Sequence, residues 1–482
     1  MGWIKSKFGF VDMTEGAPWK KLAIFTVPLL IGNIFQQLYS VADAMILGNY
    51  VGRDALAAIG ASMPVFFLIM VLMMGIAVGS GILVSQYFGA KSRKDLSYTI
   101  GNSITLTAKL GFVLMVVGPF LSRPLLTLLQ TPPEILDDSV MYMNILLWGV
   151  LGMAYFNMLS GILRGLGDSF SPLIYLAIAS VLNIILNYIM VVGFGWGMPA
   201  VAAGTVVAQA FCALLCLRKL LKMGNVFSMN KKYLKPKKYY KRQILKLGVP
   251  TGASQAIIAV AAMVVQPLVN NFGPGFIAAM TIVMRIDGFV IMPIFSFGNG
   301  ATVFAGQNMG AGKIDRITKG TRQACIMSII VSTVLILGIL LFGRMVAGAF
   351  IDSADPHASY IIDMSQRMLL ILAPGYVALS VGMVLWGAIR GAGDAMNPFW
   401  ASIINTVVIR VPTAFIFVAL LASPTWTNPD VVYINAGNPD ALMLSLLVAW
   451  TTNSILAIVV WRMGKWRTKG VSPKKPIEES SA

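Results

Sequence analysis

Long apolar runs separated by short polar turns set the pattern of this chain. Several runs reach spanning length; residues 174–192, for example, contain no charged side chain. About twenty such residues in a helix cross a hydrocarbon core roughly 30 Å thick. The pattern predicts helical spans near 20–48, 55–88, 98–120, 138–162, 172–194 and 199–221. A second set is predicted near 243–271, 276–309, 322–349, 362–388, 397–421 and 440–462. The polar, basic stretch between the two sets reads as a linker rather than a domain. The expected organisation is an N-terminal six-helix lobe over 1–222 and a basic cytoplasmic linker over 223–242. A second six-helix lobe follows over 243–465, then a cytoplasmic tail over 466–482.

The two sets repeat each other. Gly79, Gln86, Gly89 and Ala90 recur at Gly300, Gln307, Gly310 and Ala311. Gly161-Ile-Leu-Arg-Gly-Leu-Gly-Asp168, followed by Pro172, recurs as Gly387-Ala-Ile-Arg-Gly-Ala-Gly-Asp394, followed by Pro398; Pro28 has a counterpart at Pro250. Matching motifs in the same order on the same side of the membrane imply a duplicated unit of six spans. Six is even, so the copies share an orientation and the relating axis runs along the membrane normal. The expected fold class is therefore an all-α integral membrane protein of about twelve transmembrane helices in two pseudo-symmetric lobes. In the Arg-Gly-x-Gly-Asp turns the glycines end a span and permit a tight turn. Arg and Asp can hold that turn at headgroup level, and the proline suits the opening of the next helix. The pairs Gly75/Gly79, Gly161/Gly165, Gly306/Gly310 and Gly387/Gly391 have the spacing that allows helices to approach closely.

Composition agrees with this class: 57% of the 482 residues are hydrophobic and only 12% charged, too little charge for a soluble domain. A formal charge of +18 is also a feature of nucleic-acid binders, so placement decides its meaning. With the N-terminus inside, 30 of the 37 basic residues fall on one side, from Lys5, Lys7, Lys20 and Lys21 through the 218–246 loop to Lys474 and Lys475. The opposite loops hold Arg53, Arg123 and Arg344. This is the positive-inside bias, and it predicts that both termini are cytoplasmic. Anionic lipid is an expected neighbour and nucleic acid is not. Cys212, Cys216 and Cys325 lie in apolar helix without a metal-binding pattern. His357 sits in an outer loop with Asp352 and Asp355, where a surface role is the default. Neither a paired-carboxylate cluster for Mg²⁺ nor a nucleotide-binding Walker motif occurs, so neither a membrane transferase nor direct ATP drive is expected.

Pro28, Gln36-Gln-Leu-Tyr-Ser-Val-Ala-Asp43, Asp54-Ala-Leu-Ala-Ala-Ile-Gly60, Gln86-Tyr-Phe-Gly-Ala90 and the paired Arg-Gly-x-Gly-Asp turns carry a resemblance. The chain resembles the multidrug and toxic compound extrusion family of secondary transporters, as far as about residue 462. The resemblance implies two six-helix lobes facing one another across a cavity. It also implies export of organic cations and other amphiphiles, driven by sodium or proton influx, with small molecules as substrates. No enzyme activity and no cofactor beyond the coupling ion are expected, and a monomer is expected. The nearest alternative is a flippase for lipid-linked saccharides, a class that commonly has more spans and a more basic cavity.

A charge inside the membrane costs several kcal/mol unless it has a partner or a task, so intramembrane carboxylates are informative. Asp43 and Asp287 are the clear cases. Asp43 shares a helical stripe with Gly32, Gln36 and Tyr39, at spacings of four, three and four. Asn183 and Asn187 are four apart on the fifth span, and two amides on one face need partners, for which a carboxylate across the lobe is suited. Similar proteins have an acidic residue where Asp43 stands, and an Asn and an Asp where this chain has Asn183 and Asn187. The resemblance adds Thr205 on the sixth span. Gln36, Tyr39, Asp43, Asn183, Asn187 and Thr205 are therefore the expected ion-coupling residues; for Na⁺ the ligands would be Asp43, Asn183 and Asn187. Asn187 cannot take a proton, but its carbonyl can ligate sodium. The repeat places Val264 or Val265, Ile409 and Thr413 at the matching positions of the second half, so this chemistry is confined to the first. Asp287 is expected either to pair with Arg410 or to bind substrate. Arg367 is a further buried cation in need of a partner, and Lys109 can snorkel. Met70 and Met73 on the second span and Met292 and Phe295 on the eighth, with Asp287, are the expected substrate-cavity residues, on the adaptability of methionine.

Overall fold

The computed structural model describes residues 10–351, 356–421 and 438–471. Lys5, Lys7, Asp352, Asp355, Lys474 and Lys475 lie outside the described residues. The chain is all-helical where it is described, with eleven helices long and apolar enough to span a membrane, or twelve counting one bent pair as a span. The first half holds α1 (Pro18–Tyr50), α2 (Arg53–Gly89), α3 (Arg93–Leu128), α4 (Pro133–Trp148), α5 (Val150–Gly165), α6 (Phe170–Tyr188) and α7 (Met198–Leu221). A short α8 (Lys231–Leu234) follows. The second half holds α9 (Lys238–Asn270), α10 (Gly273–Gly310), α11 (Ile314–Gly348), α12 (Ala358–Gly391), α13 (Met396–Ile403), α14 (Val411–Leu420) and α15 (Asp440–Met463). Helix α9 starts inside the expected linker, five residues ahead of its predicted boundary. The rest of the linker lies on α3: the Lys237 amide donates to Asn102 Oδ1 at 2.8 Å and the Ser228 amide to Ser97 Oγ at 2.9 Å.

The predicted fourth span is the bent pair, α4 and α5, which meet at 52° around Gly149. A Cβ at Gly149 would come within 2.2 Å of the Val206 methyls on α7, so only glycine lets that helix cross here. Two spans contain π-helical turns, Ile189–Gly193 after α6 and Ile404–Arg410 between α13 and α14.

In lipid, helices associate by close packing rather than by hydrophobic transfer, and the glycine pairs read from the sequence sit at such crossings. Gly161 meets the Ala77 carbonyl and Gly391 that of Thr302, within their own lobes. Gly75 and Gly79 instead face Gly248 on α9, where added Cβ atoms would lie 2.4 and 2.6 Å from backbone oxygens. At the end carrying the basic loops, α2 and α10 cross so tightly that a Cβ on Gly89 would lie 1.8 Å from the Gln307 carbonyl. One on Gly310 would lie 1.8 Å from that of Gln86. The two halves are thus closed on each other at the basic end.

The duplicated glutamines bolt this seam. Gln86 Nε2 donates to the Gly391 carbonyl at 2.7 Å, and Gln307 Nε2 donates to that of Gly165 at 3.0 Å. Their Oε1 atoms accept from the Val471 amide (3.1 Å) and the Met13 amide (3.0 Å), so both ends of the described chain are held at the seam. All of these groups are buried from solvent except at the tail. Replacing Gln307 with Leu leaves the Gly165 carbonyl of the opposite half without its side-chain donor in the closed form, whereas Met13 stays with the second half through Asn308 and Arg316. At roughly 1–3 kcal/mol for a buried polar group left unpaired, the closed population is expected to fall about tenfold or more. Spin-label distances between Lys94 and Lys319, exposed on either side of the seam, would report it; an unchanged distance distribution would refute the bolt.

Each half also lends the start of its first helix to the other. Leu22 and Phe25 of α1 are fully buried among Phe297, Ala301 and Phe304, while Tyr240, Ile244 and Leu247 of α9 join the core of the first half. Helix α1 therefore bridges the halves, with Asn33 Nδ2 donating to Ser296 Oγ at 3.1 Å and the Trp19 amide to Gln323 Oε1 at 3.0 Å.

The Arg-Gly-x-Gly-Asp turns work differently from the sequence expectation. Gly167 (φ +95°) and Gly393 (φ +100°) adopt left-handed backbone, as the tight turn requires. Asp168 accepts from the Ser171 amide (2.8 Å) and hydroxyl (2.7 Å), and Asp394 from the Asn397 amide (3.2 Å) and side chain (2.6 Å). Each aspartate satisfies amides that open the next helix, where no earlier carbonyl is in register. The arginines enter the turns only through their backbone carbonyls, which accept from the Gly167 and Gly393 amides at 2.9 Å. The ion partner of Asp168 among the described residues is Lys219 Nζ at 3.6 Å, not the Arg164 side chain.

Candidate functional site

The upper half of α1 packs on α6, and this brings Asp43 against the two asparagines. Asn187 Nδ2 donates to Asp43 Oδ1 at 2.6 Å and to Asn183 Oδ1 at 3.2 Å. Asn183 and Asn187 are almost fully buried, and Thr205 on α7 is buried beside them, with Asn183 Nδ2 3.5 Å from its Oγ1. Asn187 fits because residue 204 is glycine; a Cβ there would lie 1.9 Å from Asn187 Oδ1. That oxygen is buried with no donor.

The orientation of the Asn183 amide bears on the chemistry. Its oxygen lies 2.9 Å from Asp43 Oδ1, two acceptors in contact. Turning the amide gives Asp43 a donor and lets the oxygen accept from the Thr205 amide at 3.2 Å, but sets two NH₂ groups 3.2 Å apart. A third arrangement satisfies the first orientation: a positive particle, proton or metal ion, shared by the two oxygens. Among the described residues no three His, Cys, Asp or Glu side chains converge on a metal position. The site thus offers one negative charge and several neutral oxygens, which balances a monovalent ion; a divalent one would keep an uncompensated charge in low dielectric.

The Asp43 carboxylate opens onto a cavity of about 390 Å³ lying wholly within the first half, a volume in the range of small-molecule sites. It extends along α1 from Pro28 to Leu47, roughly 28 Å at 1.5 Å per residue. Gln36, Tyr39, Asp43, Met70 and Thr205 all line it. Phe66, Phe67 and Met74 of α2 and Phe156 of α5 add apolar wall, and Tyr142 of α4 is buried against it. A second void, about 10 Å³, lies between Tyr39, Asn183, Thr205 and Gln209, close to the space of one water.

The other expected cavity residues stand elsewhere. Met73 is buried and does not line the cavity; Met292 is half-buried and Phe295 exposed on α10, in the other half. Asp287 does not pair with Arg410. Its carboxylate accepts from the Tyr376 hydroxyl on α12, whose ring packs 5.0 Å from that of Trp450. Arg367 is answered instead by Asp440, with Nε donating to the two carboxylate oxygens at 2.8 and 2.9 Å. Tyr142 and Gln209 also line the cavity without having been expected there, and so does Arg164, which was expected only in the turn. Gln209 had a signal, since it lies four residues after Thr205 on the same helical face.

Comparison with known proteins gives a consistent result. The profile of the MatE family matches residues 28–189 and 250–416, one copy in each half. A probable multidrug resistance protein of Bacillus subtilis, YoeA, is 29% identical over 90% of this chain and 92% of its own. The probable multidrug resistance protein NorM of Thermotoga maritima is 25% identical over 95% and 96%. Among solved structures, a MOP superfamily transporter from Pyrococcus furiosus superposes with a TM-score of 0.85 at 23% identity, over 94% of this chain and 97% of that one. A MATE transporter described as outward-facing matches with a TM-score of 0.84, also at 23% identity and over the same shares of the two chains.

Proposed function

This chain belongs to the multidrug and toxic compound extrusion (MATE) family of multi-pass membrane transporters, and on that premise we propose that it exports amphiphilic small molecules in exchange for one monovalent cation. It is a transporter and not an enzyme. The proposed setting is the prokaryotic inner membrane, with the basic loops and both termini cytoplasmic. The closed basic end then makes the described state outward-facing. The observation that carries the reading is the contact of Asp43 with Asn187 on the wall of the cargo-sized cavity. One carboxylate serves both sides of the exchange. Cation arriving at Asp43 neutralises it, alters the α1–α6 contact and favours release of cargo. Because Leu22 and Phe25 anchor the same helix in the second half, a shift of α1 is felt at the seam. Alternating access needs no more than different affinities of cation and cargo for the two states. The proposed ion is sodium or a proton, and the protein is proposed to act as a monomer in contact with anionic lipid.

Proteoliposomes test this reading, with sodium and proton gradients imposed separately and efflux of a fluorescent organic cation followed. One of the two gradients is expected to drive efflux. If neither does, while a lipid-linked saccharide is flipped without any gradient, the exporter reading is wrong. A smaller change probes the donor to Asp43. Asn187→Leu removes the 2.6 Å contact, and a hydrogen bond to a charged group is worth about 1.5–3 kcal/mol, so half-maximal drive is expected to shift about tenfold or more in cation concentration. Flux titrated against the driving ion would show the shift, and an unchanged midpoint would remove Asn187 from the site.

A further inference from the structure

Arg164 is the last-turn arginine of α5, and the residue is half-buried on the wall of the cavity. Among the described residues it has neither a hydrogen-bond acceptor nor an ion-pair partner. The carboxylate nearest in sequence, Asp168, is engaged by Ser171 and Lys219. A second polar group of the same wall is unsatisfied: Ser169, 1% exposed, has a buried hydroxyl without a partner. Arg164 and Ser169 thus present unused N–H and O–H donors at one end of the cavity, and the neighbouring Asp168 is already engaged.

We propose that this end of the cavity is an oxyanion subsite, which takes the phosphate or carboxylate group of an amphiphilic cargo while the Phe- and Met-lined wall takes its apolar body. A guanidinium binds such groups with two parallel, charge-assisted hydrogen bonds, and Ser169 supplies a third donor. The subsite lies toward the basic end and Asp43 toward the opposite one, so the cavity is polarised along its length. Its fitting cargo carries an acid at one end, and a zwitterion uses both. This rests on the reading of the cavity as the cargo site, and it changes the substrate class from simple organic cations to acid-bearing amphiphiles. The second half holds an internal control: Arg390, the repeat counterpart, also has no partner among the described residues, yet lines none of the cavities described above.

The test is equilibrium binding to the full-length protein in nanodiscs of uncharged phosphatidylcholine. The probes are an alkyl phosphate, an alkyl trimethylammonium of the same chain length, and inorganic phosphate alone. Arg164→Gln is expected to weaken the alkyl phosphate about tenfold or more and to leave the alkyl ammonium within about twofold. Arg164→Lys should retain part of the affinity, and Arg390→Gln should match wild type. Displacement of the alkyl phosphate by inorganic phosphate would make a free anion the ligand source; displacement only by acidic amphiphiles would make it a headgroup. Both support the subsite. Equal binding of the alkyl phosphate by wild type and Arg164→Gln would overturn it, as would an equal loss in Arg390→Gln. Gradient-driven efflux of an organic cation, measured on the same variants, keeps this separate from the transport reading. That efflux can persist with the subsite refuted, and its absence in wild type would refute the transport reading even where Arg164-dependent binding is seen.

Discussion

Replacing Asp43 with Asn is expected to abolish the effect of the coupling cation on cargo affinity while leaving the cargo able to bind. The substitution keeps the shape of the side chain and its contact with Asn187, but removes the only carboxylate on the cavity wall among the described residues. Linkage is reciprocal: if cation binding weakens cargo binding, cargo weakens cation binding by the same factor, typically about 5–150-fold. In wild type, cargo affinity should therefore fall by a factor in that range as the driving ion is raised. In Asp43→Asn the curve should be flat, near the cation-saturated value, because the neutral amide mimics the neutralised carboxylate. Binding isotherms at several cation concentrations would show this. A slope that survives in Asp43→Asn would place the coupling elsewhere.

The second large effect is expected at the seam. In the double variant Gly89→Ala with Gly310→Ala, each new methyl would lie 1.8 Å from a backbone oxygen of the opposite half. The nearest atoms to each new methyl belong to the opposite half, so the clash falls on the crossing itself. Overpacking of this kind costs about 1–3 kcal/mol per site, which biases the protein toward the form open at the basic end by tenfold or more. Transport should fall at least as far, since a carrier held open on one side does not cycle. Labels at Lys94 and Lys319 should report a lengthened distance. A wild-type distance with wild-type flux would show that the crossing seen here is not the closed gate.

The helices and the duplication were legible because they rest on local pattern: apolar runs of spanning length, and glycines repeated at fixed offsets. The stripe bearing Asp43, and Asn183 with Asn187, were legible for the same reason, as spacings of three and four fix a shared face. Partner choice was not. Asp287 meets Tyr376 instead of Arg410, and Arg367 meets Asp440, because pairing depends on how α10, α12 and α15 are rotated and set in depth. Gln86 and Gln307 were visible as a repeat, but their task depends on the two halves touching through them. Gly204 gave no signal, since its reason is the Asn187 oxygen that occupies the space of a side chain. The arginines of the duplicated turns misled most. Arg and Asp were expected to hold the turn together at headgroup level, yet the aspartates turn to the next helix and leave the Arg164 side chain to the cavity.

The central claim is that one carboxylate, in the first half alone, couples the cation to the cargo. Gradient-driven efflux from proteoliposomes, compared among wild type, Asp43→Asn and Asp287→Asn, tests it most directly. The expected result is drive by the ion gradient in wild type and in Asp287→Asn, and efflux at the leak rate in Asp43→Asn. Full drive in Asp43→Asn, with loss in Asp287→Asn, would contradict the account and move the coupling to the second half.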